Sequence, residues 1–273
     1  MSKVKFVVTA ILLMCSNAHA QKKSDTAALI KEFNKVMSFT SQPYLYYTTI
    51  TKMTAEPVIE SLDTLTMAGE FFKNNTEIYS NDGRSEMYLQ DSLMIEVNNE
   101  RKTIWVRKVD VASKANLNLL PVSSKEITEQ FKKNYSISKL SVSEDVSRMY
   151  FEERKPPYST SATTTFIVIE YSEKTLLPRS IEISIEMRQP ASDEVIEAIR
   201  AEGLDETKLI KTVNGEKQLT RHQKVSIVFT KIESSKDRLV KMPAYQANLE
   251  FEGTTMEFRG KGKYRDYEVT MTF

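Results

Sequence analysis

From Tyr44 to Phe273 apolar residues return at every second position in one short segment after another, whereas ahead of Pro43 they follow a helical spacing. Successive side chains of a strand point to opposite faces, so such a chain has to fold around a sheet. Tyr44 to Met53 is rich in aromatic and β-branched residues, and Leu65, Met67, Gly69 and Phe71 alternate with Thr64, Thr66, Ala68 and Glu70. Asn74-Asn75, Asn81-Asp82-Gly83 and Asn98-Asn99 mark tight turns, the last between strands at Ser92 to Val97 and Thr103 to Lys108. This pattern describes an antiparallel meander. Ahead of it, Ser24, Asp25 or Thr26 can cap a helix with Leu29, Phe33, Val36 and Met37 on one side, ending near Ser38 to Ser41.

Ser123 and Glu126 have capping-box spacing, and Ile127 with Phe131 gives the short helix after them an apolar face to lay across a sheet. Tyr135 to Val142 and Arg148 to Arg154 look like a hairpin. Thr163 to Tyr171 contains the run Phe166-Ile167-Val168-Ile169 expected of a strand covered on both faces, and Ile181, Ile183, Ile185 and Met187 alternate with Glu182, Ser184 and Glu186. Residues 188–221 break the rhythm: Ser192 can cap a helix bearing Val195, Ile196 and Ile199, Gly203 suits its end, and the polar remainder holds an Asn214-Gly215 turn. An inserted helix and loop is expected there. Strands resume at Lys224 to Ile232 and Tyr245 to Phe251, and a last hairpin should join Thr255 to Arg259 with Tyr267 to Phe273. No fixed repeat and no low-complexity linker divides the chain, so residues 21–273 are expected to form a single domain. Its class is mainly β with few helices (α+β). A terminal helix, a long antiparallel meander and a short helix across it are the parts of an incomplete barrel, a half-barrel covered by helices.

The N-terminus directs the chain elsewhere. Lys3 and Lys5 precede the apolar run Phe6 to Met14, and Ala18-His19-Ala20 places small residues at both specificity positions of a cleavage site, so residues 1–20 read as a secretory signal peptide. Met14, just before Cys15, is too bulky for a lipoprotein signal, and the run is too short to span a bilayer. A periplasmic or secreted product beginning near Gln21 is expected. Cleavage would remove the one cysteine, Cys15, and one of two histidines, His19, so the mature fold has no disulfide to rely on. Losing Lys3 and Lys5 from the 38 basic residues leaves 36 against 37 acidic ones, a net charge of −1. No basic stripe marks a nucleic-acid partner, and Arg259-Gly260-Lys261-Gly262-Lys263 reads as a solvated hairpin tip.

Four stretches resemble the LolA-like periplasmic lipoprotein-carrier superfamily: Phe33 to Phe39 running into a strand from Tyr44; Leu65 to Phe71 with its Gly69; Ile78 to Gly83 with the later hairpin ending in Ile104-Trp105-Val106; and Thr175-Leu176-Leu177-Pro178-Arg179-Ser180-Ile181. They are similar to that superfamily's passage from helix to strand, its glycine-containing second strand, its Asp-Gly to Trp hairpin and its Leu-Pro-Arg strand start, over roughly residues 24–187. The resemblance implies a half-barrel that holds an apolar ligand, a lipid or an acylated protein, with other envelope proteins as partners.

Residue chemistry argues against catalysis. His222, between Arg221 and Gln223, has no nucleophile elbow elsewhere in the chain to serve, a Cys/His zinc site lacks ligands, and seven glycines supply no phosphate-cradling loop. Neighbouring Glu152 and Glu153 point to opposite faces of a strand, and Glu182 and Glu186 read as a solvated face. No cofactor is expected. Tyr44, Leu45, Tyr46 and Tyr47 place bulky groups on both faces of one strand, which suits either ordinary core or a cavity wall. Tyr46, Met67, Phe71 and Met87 are the cavity candidates, methionine being adaptable enough to receive flexible acyl chains. The expectation is a non-enzymatic carrier; the alternative is an exported structural or adhesive β protein with no cavity.

Overall fold

A computed structural model describes residues 26–58, 64–109, 132–154, 163–213, 215–238, 241–253 and 257–272. Helix α1 (Thr26–Met37) buries Leu29, Ile30, Phe33, Val36 and Met37 along one stripe. Its C-terminal carbonyls, which have no partner within a helix, are met by hydroxyls: Ser38 donates to Lys35 O at 2.7 Å and Thr40 to Met37 O at 2.9 Å. A 3-10 turn over Ser38–Ser41 then carries Phe39 inward.

Two meanders follow. The first comprises β1 (Tyr44–Glu56), β2 (Thr64–Asn74), β3 (Glu77–Asn81), β4 (Ser85–Gln90), β5 (Leu93–Asn98) and β6 (Thr103–Lys108). The second comprises β7 (Tyr135–Ser143), β8 (Val146–Glu153), β9 (Thr163–Ser172) and β10 (Pro178–Pro190). After α2 (Asp193–Ala201), α3 (Glu206–Leu209) and β11 (Ile210–Val213), the long β12 (Glu216–Glu233) enters between β1 and β10 and joins the meanders into one sheet of thirteen strands. Its order is β15-β6-β5-β4-β3-β2-β1-β12-β10-β9-β8-β7, with β11 on β12. The molecule is therefore mainly β with few helices, and antiparallel apart from the pairing of β15 (Glu268–Thr272) with β6, which is parallel.

The sheet is covered on both faces. On the inner face α1 packs against Leu45, Phe71, Ile78, Leu89, Met94, Ile137, Met149, Phe151, Ile169, Tyr171 and Ile181. Glu32 of α1 accepts from Tyr171 Oη at 2.6 Å and from Lys139 Nζ at 2.7 Å, which fastens the helix to β7 and β9. On the outer face the C-terminal segment, with β13 (Leu249–Glu252) and β14 (Glu257–Gly260), lays Tyr245, Leu249, Phe258 and Tyr264 over Phe72, Tyr79, Tyr88, Ile95, Ile104 and Val106. A bulge opposite Thr48 and Thr49 lets Phe229 and Ile232 of β12, three residues apart, both face inward.

Several expectations are corrected. Residues 188–221 are not all insertion: β10 and β12 extend through them, pairing Met187 with Arg221 and Gln189 with Leu219. Polar residues on the less covered part of β12 hide that alternation, although Leu219 itself is fully buried. The last segments do not form a hairpin. β14 is already paired with β13, and the 3-10 turn Gly262–Tyr264 redirects the chain so that β15 runs along β6. Tyr245 to Phe251 begins as a 3-10 turn, Tyr245–Ala247, and only then becomes strand. The helix expected between Ser123 and Phe131 lies outside the described residues.

Candidate functional site: the inner face of the sheet

Strand alternation decides which side chains share the inner face. Tyr47 of β1 lies opposite Phe71 of β2, Phe71 opposite Ser80, Ser80 opposite Met87, Met87 opposite Glu96, and Glu96 opposite Trp105. Of the four cavity candidates, Phe71 and Met87 thus fall on one row, and Met67, two residues before Phe71 and opposite Thr51, is on the same face and half-buried. Tyr46 is not among them. It points to the outer face, with its ring centroid 4.5 Å from that of Phe72, and Tyr47 takes the inward position. The run Tyr44 to Tyr47 is apolar at every position, so its phase was not readable from composition alone.

Where the turn after α1 meets the sheet, four aromatic rings converge. Tyr47 stacks on Phe71 at 4.7 Å and 17°, while Phe39 and Phe229 meet each other and Tyr47 edge-on at 5.6 to 6.1 Å. Beside this cluster is a cavity of about 350 Å³ lined by Tyr47, Thr49, Gly69, Phe71, Ser80 and Ile227, with Asp82 and Ser85 also on its wall. That volume lies at the lower end of small-molecule sites, ~300 to 1,000 Å³. Gly69 helps to keep it open, since a Cβ there would stand 2.5 Å from Thr49 Oγ1. Asp82 comes from the turn between β3 and β4. Gly83 adopts a left-handed φ of 85°, and the Asp82 carboxylate accepts from the backbone N–H groups of Arg84 and Ser85 at 3.0 and 2.7 Å. Burial pushes the Tyr47 hydroxyl up to about 12, and no group among the described residues hydrogen-bonds to it.

Away from α1 the inner face continues as an apolar row that crosses seven strands: Leu65, Met53, Val225, Ile183, Ile167, Phe151 and Ile137 are successive cross-strand neighbours. Phe151 and Ile137 are buried beneath α1, whereas the other five are half-buried. Trp105 is more open still, 62% exposed, beside the Glu96–Arg107 ion pair at 3.5 Å.

The outer face holds a constellation that sequence reasoning missed. Glu86, 5% exposed, accepts from Tyr79 Oη at 3.2 Å, from Tyr88 Oη at 3.0 Å and from Lys263 Nζ at 2.7 and 2.8 Å, and Tyr88 Oη lies 3.2 Å from Tyr264 Oη. Burial alone would raise the Glu86 carboxyl, but hydrogen bonds from Lys263, Tyr264 and Tyr88 together hold it below the usual carboxylate range. Burial also pushes Tyr88 up to about 12. Both carboxylate oxygens are committed, so the cluster acts as a clamp between β4 and the C-terminal cover. Lys263 is thus exposed along its stem, as expected of a solvated turn, while its ammonium is tied to the buried Glu86. A carboxylate that alternates with Tyr88 in a strand was the only available sign, and alternation alone does not reveal which face will be covered.

His222 lies exposed on the outer face, its Nδ1 4.0 Å from Glu186. Among the described residues no group of three or more His, Cys, Asp or Glu side chains could hold a metal ion, and no helix is long and apolar enough to cross a membrane.

No protein-family model matches the chain, and no curated protein matches it. Among solved structures, 29 chains match. One is a DUF1329 family protein from Desulfovibrio piger, 11% identical, with a TM-score of 0.30 over 85% of this chain and 98% of that one. At that score the likeness carries no argument about fold or activity.

Proposed function

We propose that this chain is an exported, non-enzymatic carrier whose sheet curves as a half-barrel and holds an apolar ligand, the acyl chain of a lipid or of a lipidated protein, on its inner face. The observation that carries this reading is the row from Leu65 to Ile137, which begins under α1 and runs out into half-exposed positions on five neighbouring strands. At a strand spacing of about 4.8 Å, six intervals make a track of roughly 29 Å, long enough for an extended acyl chain. The aromatic cluster and the adjoining cavity support the same reading, for they lie on the same face, Ile227 of the cavity being two residues from Val225 of the row. The edges β7 and β15 have no second strand partner among the described residues, in keeping with an open half-barrel.

Native mass spectrometry of detergent-free protein tests it. Wild type should carry lipid or take up an added acyl chain, and Ile183→Asp or Met67→Asp should lose it while circular dichroism stays unchanged, because an unpaired charge in an apolar site costs several kcal/mol, about 2 or more. If wild type never takes up lipid, the chain is an exported structural or adhesive β protein.

A further inference from the structure

We infer that the cavity beside Tyr47 selects a neutral acyl ester of a lipid over a free fatty acid, with the Tyr47 hydroxyl donating a hydrogen bond to the ester carbonyl. This rests on the reading of the inner face as an acyl-chain site, and adds the polar end of the ligand to it.

Around the cavity Tyr47, Thr49, Ser80 and Ser85 offer neutral hydroxyls, and neither lysine, arginine nor histidine is present to neutralise a carboxylate. Asp82 is part of the lining, and its carboxylate would repel an anionic head. Glu70 contributes backbone only, for its carboxylate accepts from Tyr46 on the outer face at 3.2 Å. The nearest lysine on this face, Lys73, is turned away toward the carbonyl of Thr40 at 3.4 Å. An incoming carboxylate would therefore lose water and gain no cation, which is the costly case. An ester carbonyl carries no charge to desolvate and needs one donor.

Tyr47 is placed to be that donor. Its ring is held by Phe71, Phe39 and Phe229, so its direction is fixed, while its hydroxyl has no partner among the described residues. Because burial raises its proton affinity, it remains a donor at any pH at which the protein would work. The aromatic floor and Ile227 receive the first methylenes, and the chain continues along the track.

The test compares 1-monopalmitoylglycerol, palmitate and hexadecane by native mass spectrometry on the full mature chain, in wild type and Tyr47→Phe. Wild type should retain the glyceride about tenfold better than hexadecane, the effect of one hydrogen bond gained in a buried site, and should retain palmitate least. Tyr47→Phe, which removes an unpaired hydroxyl and keeps the ring, should fold with an unchanged melt, bind hexadecane as before and lose the preference for the glyceride. Equal retention of all three, or a preference that survives Tyr47→Phe, overturns this inference and leaves the acyl-chain reading standing. Failure to bind any of them overturns both. A palmitoylated peptide, whose acyl carbonyl belongs to a thioester or amide, decides the source: its retention in place of the glyceride would reassign the bound carbonyl to a lipidated protein and overturn the lipid assignment.

Discussion

Replacing Glu86 by Gln leaves Lys263 without its counter-ion at a site that the rings of Tyr79, Tyr88 and Tyr264 shield from water. Breaking such a pair on one side typically costs about 3 kcal/mol, less here because the Lys263 side chain is 48% exposed. The pH dependence has a definite sign. A carboxyl held below its usual range in the folded state stabilises the protein above the unfolded carboxylate range and loses that contribution as pH falls through its folded value. Urea melts between about pH 7 and pH 3 should show wild type weakening toward acid, with Glu86→Gln less stable at neutral pH and flatter on the acid side. Phe71→Asp should behave differently from Met67→Asp. Phe71 is 8% exposed and stacked on Tyr47, so the charge should unfold the protein, at a cost above ~3 kcal/mol for the lost ring alone. Met67, half-buried outside both core clusters, should tolerate it, and denaturation midpoints compare the two. Met67, Gly69 and Phe71 were legible as one face because Thr66, Ala68 and Glu70, small or polar, alternate with them. Tyr46 was not, because aromatic and aliphatic neighbours on both sides leave the phase of the strand open.

Among the elements, β15 bears most directly on solubility. Its pairing with β6, from Glu268 opposite Thr103 to Thr272 opposite Arg107, covers a sheet edge that would otherwise present unpaired N–H and C=O groups beside the exposed Trp105. A chain ending after Asp266 should keep its main sheet and self-associate, and light scattering after size-exclusion chromatography should register oligomers absent from the full chain. Alternation in Tyr267 to Phe273 revealed a strand with one apolar face, and Val269 and Met271 do pack on the outer core. Its partner was hidden, because pairing with a strand so far back in the chain is set by which edge remains open once the meander is built. The same cause hid the true length of β10 and β12, whose outer portions carry mostly polar, half-exposed residues around the buried Leu219.

At the scale of the whole molecule, the two meanders were legible from their turns, while the join between them was not. Short turns such as Asn81-Asp82-Gly83 are local chemistry, whereas the seam at β12 depends on matching Tyr46 to Glu233 and Glu56 to His222 across most of the chain. With one cysteine in the sequence, no internal disulfide can reinforce that seam, so melts with and without dithiothreitol should coincide. Intact mass of exported protein should begin at Gln21, and a species starting at an acylated Cys15 would refute the cleavage proposal. The seam also has a kinetic side. β1 can form early only with β2; its other edge stays vacant until β12 is available, and the edge of β6 stays vacant until β15 arrives. Native contacts of such long range form slowly, so the sheet cannot be completed from either half alone. A polypeptide built in this way cannot join its two meanders until β12, late in the sequence, has been delivered, a property that suits any chain drawn through a membrane pore before it folds.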